Sequence, residues 1–425
     1  MRYLPQTKKN REAMLEKIGV NSVDDLFKDV PKKAFVKGQV DLPEHMSELQ
    51  VERTLGNYAN QNRPAISGPF FLGAGVYHHH IPSTVDYIIQ RSEFLTAYTP
   101  YQPEIAQGTL QMIYEYQTMI AQLTGQDIAN ASLYDGATAT AEAVLMAMRL
   151  TKRSKVVLAT SLNPQYKDVL DTYMWVTENA GYVDDVSEDV AAVIVQTPDF
   201  HGNVHGLDEW RKKCDETGAK LIVVVTEILS LGLCPAPTQA DIVCGEGQSI
   251  GLPMSYGGPH LGFFACREEY LRQIPGRLCG ETVDADGKRA FVLTLSTREQ
   301  HIRREKATSN ICTNQGLCAL AFTVHMSLLG EDGFKTLSQI NHAQAGKLAD
   351  ALAKIDGVKI ETENFFNEFV VSLPKDAQEI CDALAEKNIT AGLVVGEKDL
   401  LVAATEMTTE SDIEAFASAL KDALA

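Results

Sequence analysis

The sequence has 425 residues, of which 45% are hydrophobic and 22% are charged, and its formal net charge is −18 at pH 7. A chain of this length and composition is expected to be globular with more than one core, and it contains no apolar run of the ~18 residues that a membrane helix needs. The acidic excess excludes nucleic acid and anionic membranes as expected partners, because both require a concentrated basic face. The polar, lysine-rich N-terminus lacks the apolar core of a secretory signal, so we predict a cytoplasmic protein.

Neither the cysteines nor the histidines predict a metal site. The eight cysteines are scattered without a CxxC pair, which favours reduced, buried thiols over disulfides or zinc. His78, His79 and His80 are adjacent, but consecutive side chains project in different directions and rarely converge on one ion. We therefore assign this triplet to an interface or to the wall of an active site.

The first part of the chain predicts an arm followed by a rigid loop. Short segments with helical spacing extend to about residue 65, and such arms wrap a partner or the flank of their own domain. Two prolines, at positions 100 and 103, then fix an extended loop that contains Tyr98, Tyr101 and Gln102. The two tyrosines either pack on the core or present their hydroxyl groups at a site.

The segment from Asp135 to Glu142 leads small residues into the start of a helix. The free N–H groups and the dipole of a helix N-terminus favour an anion such as a phosphate, although an ordinary capped helix has the same pattern.

From Lys155 onwards, apolar runs such as KVVLAT, AAVIVQTP, KLIVVVTE and DIVCG alternate with helical segments. This order predicts a parallel sheet covered on both faces, in which functional side chains gather at the carboxyl ends of the strands. Three places are therefore of interest: residues 197–202, Thr226 with Glu227, and the loop around Gln248.

Two further stretches supply candidate residues. A glycine-rich loop lets the backbone approach a ligand or partner closely, and its candidates for a cofactor or shared site are Ser255, Tyr256, Gly257 and Gly258. A basic run departs from the acidic composition and is either a solvated helical face or a surface that binds a partner or an anion. Its candidates are Arg298, His301, Arg303, Arg304 and Lys306.

Four segments resemble the P-protein of the glycine cleavage system, glycine dehydrogenase (decarboxylating). They are TAYTPYQPEIAQG, NASLYDGATATAEA, SYGGPHLGFFA and, most specifically, TREQHIRREKATSNICTNQ. The resemblance extends nearly from end to end and is to the N-terminal half of that protein, so the chain looks like the α chain of the two-subunit bacterial form.

This resemblance implies a fold, a reaction and partners. The fold is that of an aminotransferase-type (fold type I) pyridoxal-phosphate enzyme, with a helical arm at 1–65, a large α/β domain at 66–329 and a small α+β domain at 330–425. The family decarboxylates glycine, with pyridoxal phosphate as the electron sink, and passes the aminomethyl group to the lipoyl arm of the H-protein. The implied assembly is α2β2, with the cofactor bound mainly by the β subunit.

Two groups that such chemistry needs are missing from the sequence. Gln248 stands in the place of the Schiff-base lysine, and an amide is not a nucleophile. The strand KLIVVVTE ends in Thr226 and Glu227 instead of the aspartate that would hold the ring nitrogen, and we expect Glu227 to point to the other side of the strand. No catalytic residue is therefore expected in this chain, which should not be active alone, while Tyr98, Tyr101 and Gln102 would contribute to a site shared with the β subunit.

Two alternatives remain open at this point. One is an independent pyridoxal-phosphate enzyme that uses a distant lysine such as Lys306. The other is a catalytically silent regulatory or scaffold protein that has kept the fold.

Overall fold

The computed structural model describes residues 6–36, 38, 40–95 and 98–425. They form two compact units, one that ends at Arg63 and one from Pro64 to Ala425. Within the described ranges, no helix is both long and apolar enough to span a membrane. All eight cysteines are free thiols, and only Cys312 is exposed.

The first unit consists of the helices α1 (Lys8–Ile18) and α2 (Glu48–Ala59), with 3-10 turns at Asp24–Phe27 and Lys32–Ala34. No described residue of this unit is buried. Large apolar side chains such as Leu55 are exposed, so the unit has no apolar core of its own.

The second unit contains ten α-helices among its described residues. They are α3 (Ser83–Ile89), α4 (Ser92–Leu95), α5 (Gln107–Thr124), α6 (Gly136–Thr151), α7 (Pro164–Trp175), α8 (Asp208–Thr217), α9 (Gln300–Arg303), α10 (Gly316–Leu352), α11 (Ala377–Glu386) and α12 (Glu410–Leu424). Short 3-10 helices occur at Ala65–Ser67, Ile228–Gly232, Glu268–Tyr270, Ser296–Arg298 and Arg304–Lys306.

Thirteen strands belong to the same unit. They are β1 (Ile128–Ala129), β2 (Lys155–Leu158), β3 (Gly181–Tyr182), β4 (Val190–Gln196), β5 (Lys220–Val225), β6 (Ile242–Glu246), β7 (Gly262–Cys266), β8 (Leu278–Val283), β9 (Arg289–Thr294), β10 (Lys359–Ile360), β11 (Glu368–Ser372), β12 (Leu393–Val394) and β13 (Asp399–Ala403).

The central sheet has seven strands in the order β1-β7-β6-β5-β4-β2-β3. The predicted parallel sheet is confirmed for β2, β4, β5 and β6. The strand β7 instead runs antiparallel to β6. No helix lies between these two strands, and a parallel return would need a crossover connection, so the chain turns back directly.

Alternate side chains of the central strands enter two different cores. Val193 and Val223 face α5 and α10, whereas Ile194 and Ile222 face α6 and α7. Because both faces of the sheet are covered, its strands are continuous apolar runs. Polar side chains of this sheet are therefore found at the ends of its strands.

The last part of the chain forms a four-stranded antiparallel sheet in the order β10-β11-β13-β12, packed on α11 and α12. The long helix α10 crosses the predicted domain boundary at 329/330, where Gly330 adopts a left-handed φ of 60° and kinks it. The domain limits at 65 and 329 stay predictions.

Candidate functional site

Three buried polar side chains lie at the carboxyl edge of the central sheet. Glu227 follows β5, Glu246 ends β6, and Gln248 comes two residues later. Because β5 and β6 are parallel neighbours, their carboxyl ends meet at one edge, as predicted. We call these three residues the sheet-edge site.

Gln248 is 1% exposed, and its amide is fully engaged by the protein. The Oε1 atom accepts a hydrogen bond of 3.2 Å from the backbone N–H of Tyr77. The Nε2 atom donates to the carbonyl groups of Tyr77 and Leu252, at 3.2 and 2.7 Å. A lysine has no acceptor, so it would leave the N–H of Tyr77 unsatisfied.

Glu246 lies at the start of α6, where the sequence predicted a possible anion site. Its carboxylate accepts the backbone N–H groups of Gly136, Gln248 and Leu261, at 2.9, 3.1 and 2.7 Å. Burial raises the pKa of this carboxyl to about 7, although the three N–H groups oppose the shift. Asp135 caps the same helix by accepting the N–H of Thr138 at 2.7 Å. The group that accepts hydrogen bonds at this helix N-terminus is therefore a side chain of the protein itself.

Glu227 forms a buried ionic network with His79 and Glu406. The Nε2 atom of His79 lies 3.2 Å from Glu227, and its Nδ1 atom lies 2.8 Å from Glu406. Burial alone would lower the pKa of His79, but the two carboxylates raise it to about 10. For the acid Glu406, burial would raise the pKa, but hydrogen bonds from His79, His80 and Asn341 hold it at about 2.

The expected direction of the Glu227 side chain, to the other side of the strand, stays a prediction. Its carboxylate accepts hydrogen bonds from the Ser249 hydroxyl and from the N–H of Leu229, each at 2.9 Å. The chain leaves β5 at Val225, and Glu227 is the N-cap of the 3-10 helix Ile228–Gly232. Strand alternation therefore no longer sets the direction of this side chain.

Two residues of the sheet-edge site, Gln248 and Glu227, have partners in residues 70–80, which we call the crossing segment. Tyr77 donates its hydroxyl to Glu368 at 3.0 Å, and burial raises the pKa of Glu368 to about 7. Phe71 pairs with backbone groups of Thr390 and Ala403 at 2.8 Å each. The crossing segment thus lies between the carboxyl edge of the central sheet and the C-terminal sheet.

This arrangement does not fit pyridoxal phosphate. The position of the Schiff-base lysine is an amide with all its hydrogen bonds made. The helix N-terminus that would cradle a phosphate is occupied by the carboxyl group of Glu246, which accepts the N–H of Gly136. The Tyr166 ring also packs directly on Gly136. Neither a covalent attachment nor an anion site is available at the sheet-edge site.

The structure places the tyrosine loop beside the basic run. Tyr98 is 77% exposed and lines a cavity with Thr313 and Asn314. Tyr101 accepts a hydrogen bond of 2.9 Å from Arg277, and its ring lies 5.8 Å from that of His301. Gln102 is exposed.

The basic run divides into one buried and several exposed members. Arg298 is buried and donates to the carbonyl groups of Ile274 and Gly276. The side chains of the other four candidates are exposed; these are His301, Arg303, Arg304 and Lys306.

The glycine-rich loop presents an exposed aromatic side chain. Tyr256 is 98% exposed, and both Ser255 and Tyr256 have left-handed φ values, of 40° and 56°. Gly257 and Gly258 continue with φ values of 97° and 144°. No hydrogen bond or ring contact between described residues joins this loop to Tyr98 or Tyr101.

Some residues of the site were not found from the sequence. Glu246 and Glu368 are buried and Glu406 is partly buried, and each has a partner far away in the sequence. Glu246 alone carried a local signal, because an acidic residue that ends an apolar strand is unusual. The side chains of the histidine triplet lie in different surroundings: His79 is buried and His80 is exposed.

The fold and the position of the site define the class. The chain has the fold of the fold type I pyridoxal-phosphate enzymes, as solved structures show. One neighbour, a glutamate decarboxylase of Lactobacillus brevis, is 11% identical with a TM-score of 0.68 over 93% of this chain and 96% of that chain, which shows the fold alone.

A closer comparison gives the family. A crystal structure described as glycine decarboxylase (P-protein) of the glycine cleavage system, in inhibitor-bound form, is 43% identical with a TM-score of 0.91 over 100% of both chains. The family model for the glycine cleavage system P-protein matches residues 1–420. The chain belongs to the glycine cleavage system P-protein family.

Curated relatives that match this chain over their whole length carry the name of a single subunit. A protein of Parvibaculum lavamentivorans, "probable glycine dehydrogenase (decarboxylating) subunit 1", is 57% identical over 100% of both chains. Proteins with the same name from Sphingopyxis alaskensis and Rhodospirillum centenum are 53% and 54% identical, again over 100% of both chains.

Replacement of His79 by glutamine should destabilise the protein in a pH-dependent way. Removing one partner from a buried ion pair costs about 3–5 kcal/mol in the free energy of unfolding. The raised pKa of His79 makes its contribution complete below the ordinary value of 6.5 and lost as the pH rises to about 10. The lowered pKa of Glu406 makes its contribution complete above 4.5 and lost as the pH falls to about 2.

The difference in unfolding free energy between the wild type and His79→Gln should therefore be largest between pH 4.5 and 6.5 and should shrink towards pH 10. Denaturant titrations at pH 6 and pH 9 measure it. The exposed His45→Gln is the matched control and should show no difference. A difference of the same size at both pH values would contradict the assignment of the charges.

Proposed function

We propose that this chain is the α subunit of a two-subunit glycine decarboxylase, in which the partner β subunit carries pyridoxal phosphate. The assembly is α2β2, and its reaction decarboxylates glycine and transfers the aminomethyl group to the lipoyl arm of the H-protein. The observation that carries this proposal is the amide of Gln248, which occupies the lysine position with every hydrogen bond made inside the chain.

The full set of polar contacts at the sheet-edge site supports the proposal that the partner subunit binds the cofactor. A single lost lysine would be compatible with a recent loss of activity in a pocket that is otherwise open. Here Glu246 also fills the helix N-terminus, and Glu227 is paired with His79. A cofactor could not bind at the sheet-edge site while the crossing segment is in place, because both would use the same hydrogen-bond donors and acceptors. The family's chemistry therefore has to take place in the partner.

The exposed candidates indicate what this chain contributes to the shared site. Tyr98 and Tyr101 are both exposed, on a loop held by Pro100 and by the hydrogen bond from Arg277. A rigid phenol that projects from one subunit suits the positioning of a substrate in another. The fully exposed Tyr256 and its glycine-rich loop are the second candidate surface.

The two alternatives are less well supported. Lys306 lies in the exposed 3-10 turn Arg304–Lys306, away from the strand ends where this fold places its chemistry. A silent scaffold would need no rigid tyrosine loop. We keep the scaffold as the outcome that the experiment on Tyr98 tests.

Incubation of the isolated chain with pyridoxal phosphate, followed by borohydride reduction and peptide mapping, should show no stoichiometrically labelled lysine. The variant Gln248→Lys should also remain unlabelled at position 248, since Glu246 still occupies the anion position. Loss of the acceptor for Tyr77 N–H should in addition destabilise that variant by about 1–3 kcal/mol.

Gln378→Lys, at an exposed position on α11, controls for non-specific labelling. Stoichiometric modification at position 248 of the Gln248→Lys variant, together with glycine carboxyl exchange, would show that the pocket is intact and would end the proposal.

Tyr98→Phe should lower glycine turnover in the reconstituted complex without loss of assembly. The substitution removes one exposed hydroxyl and leaves the ring. A fall in turnover of about tenfold would correspond to the loss of one hydrogen bond that positions the substrate. Turnover and sedimentation of the complex measure the two effects separately. Tyr87→Phe, which removes an exposed hydroxyl from α3, is the control. Unchanged turnover in Tyr98→Phe and Tyr101→Phe would favour the scaffold instead.

The exposed part of the basic run should guide an acidic H-protein. The triple variant Arg303→Gln, Arg304→Gln, Lys306→Gln should raise the apparent KM for H-protein severalfold at low ionic strength and little at high ionic strength, because salt screens exposed charges. A triple variant of exposed lysines on other elements, Lys354→Gln, Lys359→Gln and Lys398→Gln, has the same change in charge and should keep the KM. Equal effects of both triples would mean that only net charge matters.

A further inference from the structure

The tyrosine loop and the basic run are held by the same short segment, residues 274–277, which lies directly before β8. Arg298 donates from its guanidinium group to two backbone carbonyl groups of this segment. Arg277, the last residue of the segment, donates from its Nη2 atom to the hydroxyl of Tyr101 at 2.9 Å. Two candidate surfaces that lie far apart in the sequence are therefore attached to one piece of backbone.

The basic run forms a closed loop. The backbone N–H of Thr308 donates to the carbonyl group of Arg298 at 3.0 Å, and this bond closes residues 299–307 into what we call the basic loop. The basic candidates of this loop are exposed, whereas the side chain of its first residue, Glu299, is only 12% exposed. The positive charges of the basic loop therefore face the solvent, while its carboxylate at Glu299 faces the protein.

Glu299 is shared between the two surfaces. Its Oε2 atom lies 3.6 Å from the Nε atom of Arg277, behind the tyrosine loop. The same oxygen lies 3.6 Å from the Nδ1 atom of His301, in the basic loop. These are ion-pair distances, and the pair with Arg277 is poorly reached by solvent because that side chain is 5% exposed. Salt and water screen such a pair less than they screen an exposed one.

The remaining contacts close a ring of four side chains. The rings of Tyr101 and His301 meet edge to face, with their centres 5.8 Å apart and their planes at 67°. The guanidinium group of Arg277 lies 5.4 Å from the centre of the Tyr101 ring. Each of Arg277, Tyr101, His301 and Glu299 thus contacts two of the others. A displacement of any one of them disturbs two contacts at once, so the four side chains are expected to move together.

We propose that Arg277 and Glu299 are positioning residues that join the tyrosine loop and the basic loop into one recognition surface for a single acidic protein. The exposed charges of the basic loop would draw that protein in, and the ring of contacts would hold Tyr101 beside the place where it docks. This inference deepens the proposed function and rests on it for the turnover measurements. The coupling between the two loops is a property of this chain alone.

Hydrogen exchange tests the coupling on the isolated full-length chain. Glu299→Gln removes the counter-charge of Arg277 with little change in shape, so the tyrosine loop should open more often. The backbone N–H of Tyr101 donates to the carbonyl group of Thr99 at 2.9 Å, and the amides of residues 98–105 should therefore exchange severalfold faster in the variant. Mass spectrometry of the peptides that cover this loop measures the rates.

Glu188→Gln is the matched control for this experiment. It makes the same change in charge at an exposed position between β3 and β4 and should leave the exchange of residues 98–105 unchanged. Equal exchange in the wild type and in Glu299→Gln would overturn the proposal. An equal acceleration in Glu188→Gln would also overturn it, since the effect would then follow from net charge alone.

A double-mutant cycle tests the coupling in the reconstituted complex. Tyr101→Phe and Glu299→Gln should each lower glycine turnover severalfold, and the double variant should fall no further than the weaker of the two single variants. Glu299→Gln should also lower kcat and raise the KM for the acidic H-protein together, because both loops shift. A variant that only weakened steering would raise the KM at low ionic strength and keep kcat.

The results separate this inference from the proposed function. Effects of Tyr101→Phe and Glu299→Gln that multiply in the double variant would overturn the coupling, as would wild-type turnover in Glu299→Gln. A wild-type complex without glycine turnover would count against the proposed function instead. The hydrogen exchange of residues 98–105 would then still decide whether Glu299 holds the tyrosine loop.

Discussion

The structure depends on the pairing of the crossing segment with the carboxyl edge of the central sheet. Gln248 binds the backbone of Tyr77 on both its N–H and its carbonyl group, and Glu227 holds the imidazole of His79. Because these groups are buried, each would be costly to leave unpaired. Once the crossing segment is in place, Glu368 and Glu406 attach the C-terminal sheet to the same segment.

This constraint explains why a fold associated with cofactor chemistry is present without a place for the cofactor. In an enzyme of this class, strand ends and a helix N-terminus are left open for a ligand. Here the same donors and acceptors are used within the chain, with Glu246 at the helix N-terminus and Gln248 at the lysine position. What would be a binding pocket has become part of the core that joins the two sheets. Tyr98 and Tyr256 lie outside this core and are exposed.

Much of the fold followed from local patterns in the sequence. The apolar runs that form β4, β5 and β6 and the helices between them are regular enough to predict a parallel sheet and the edge where polar residues gather. The position of Gln248 and the absence of a lysine were also visible. The antiparallel direction of β7 was not predicted, although the chain has no helix between β6 and β7 that would allow a parallel return.

The partners of the site could not be predicted, because they join residues far apart in the sequence. His79 and Glu406 are 327 positions apart, and no local pattern marks either as half of an ion pair. The contacts of Glu227 could not be predicted for a similar reason, since the rule of alternation fails where a strand passes into a 3-10 helix. The contact of Glu299 with Arg277 likewise appears only when the fold is known.

The central claim is that this chain cannot hold pyridoxal phosphate while its partner can. The most direct measurement is the cofactor content of the purified, reconstituted complex, with the bound cofactor assigned to each chain by mass spectrometry after reduction. The account predicts one cofactor for each pair of unlike chains, all of it attached to the partner subunit. One cofactor on every chain, or any stoichiometric attachment to this chain, would contradict it.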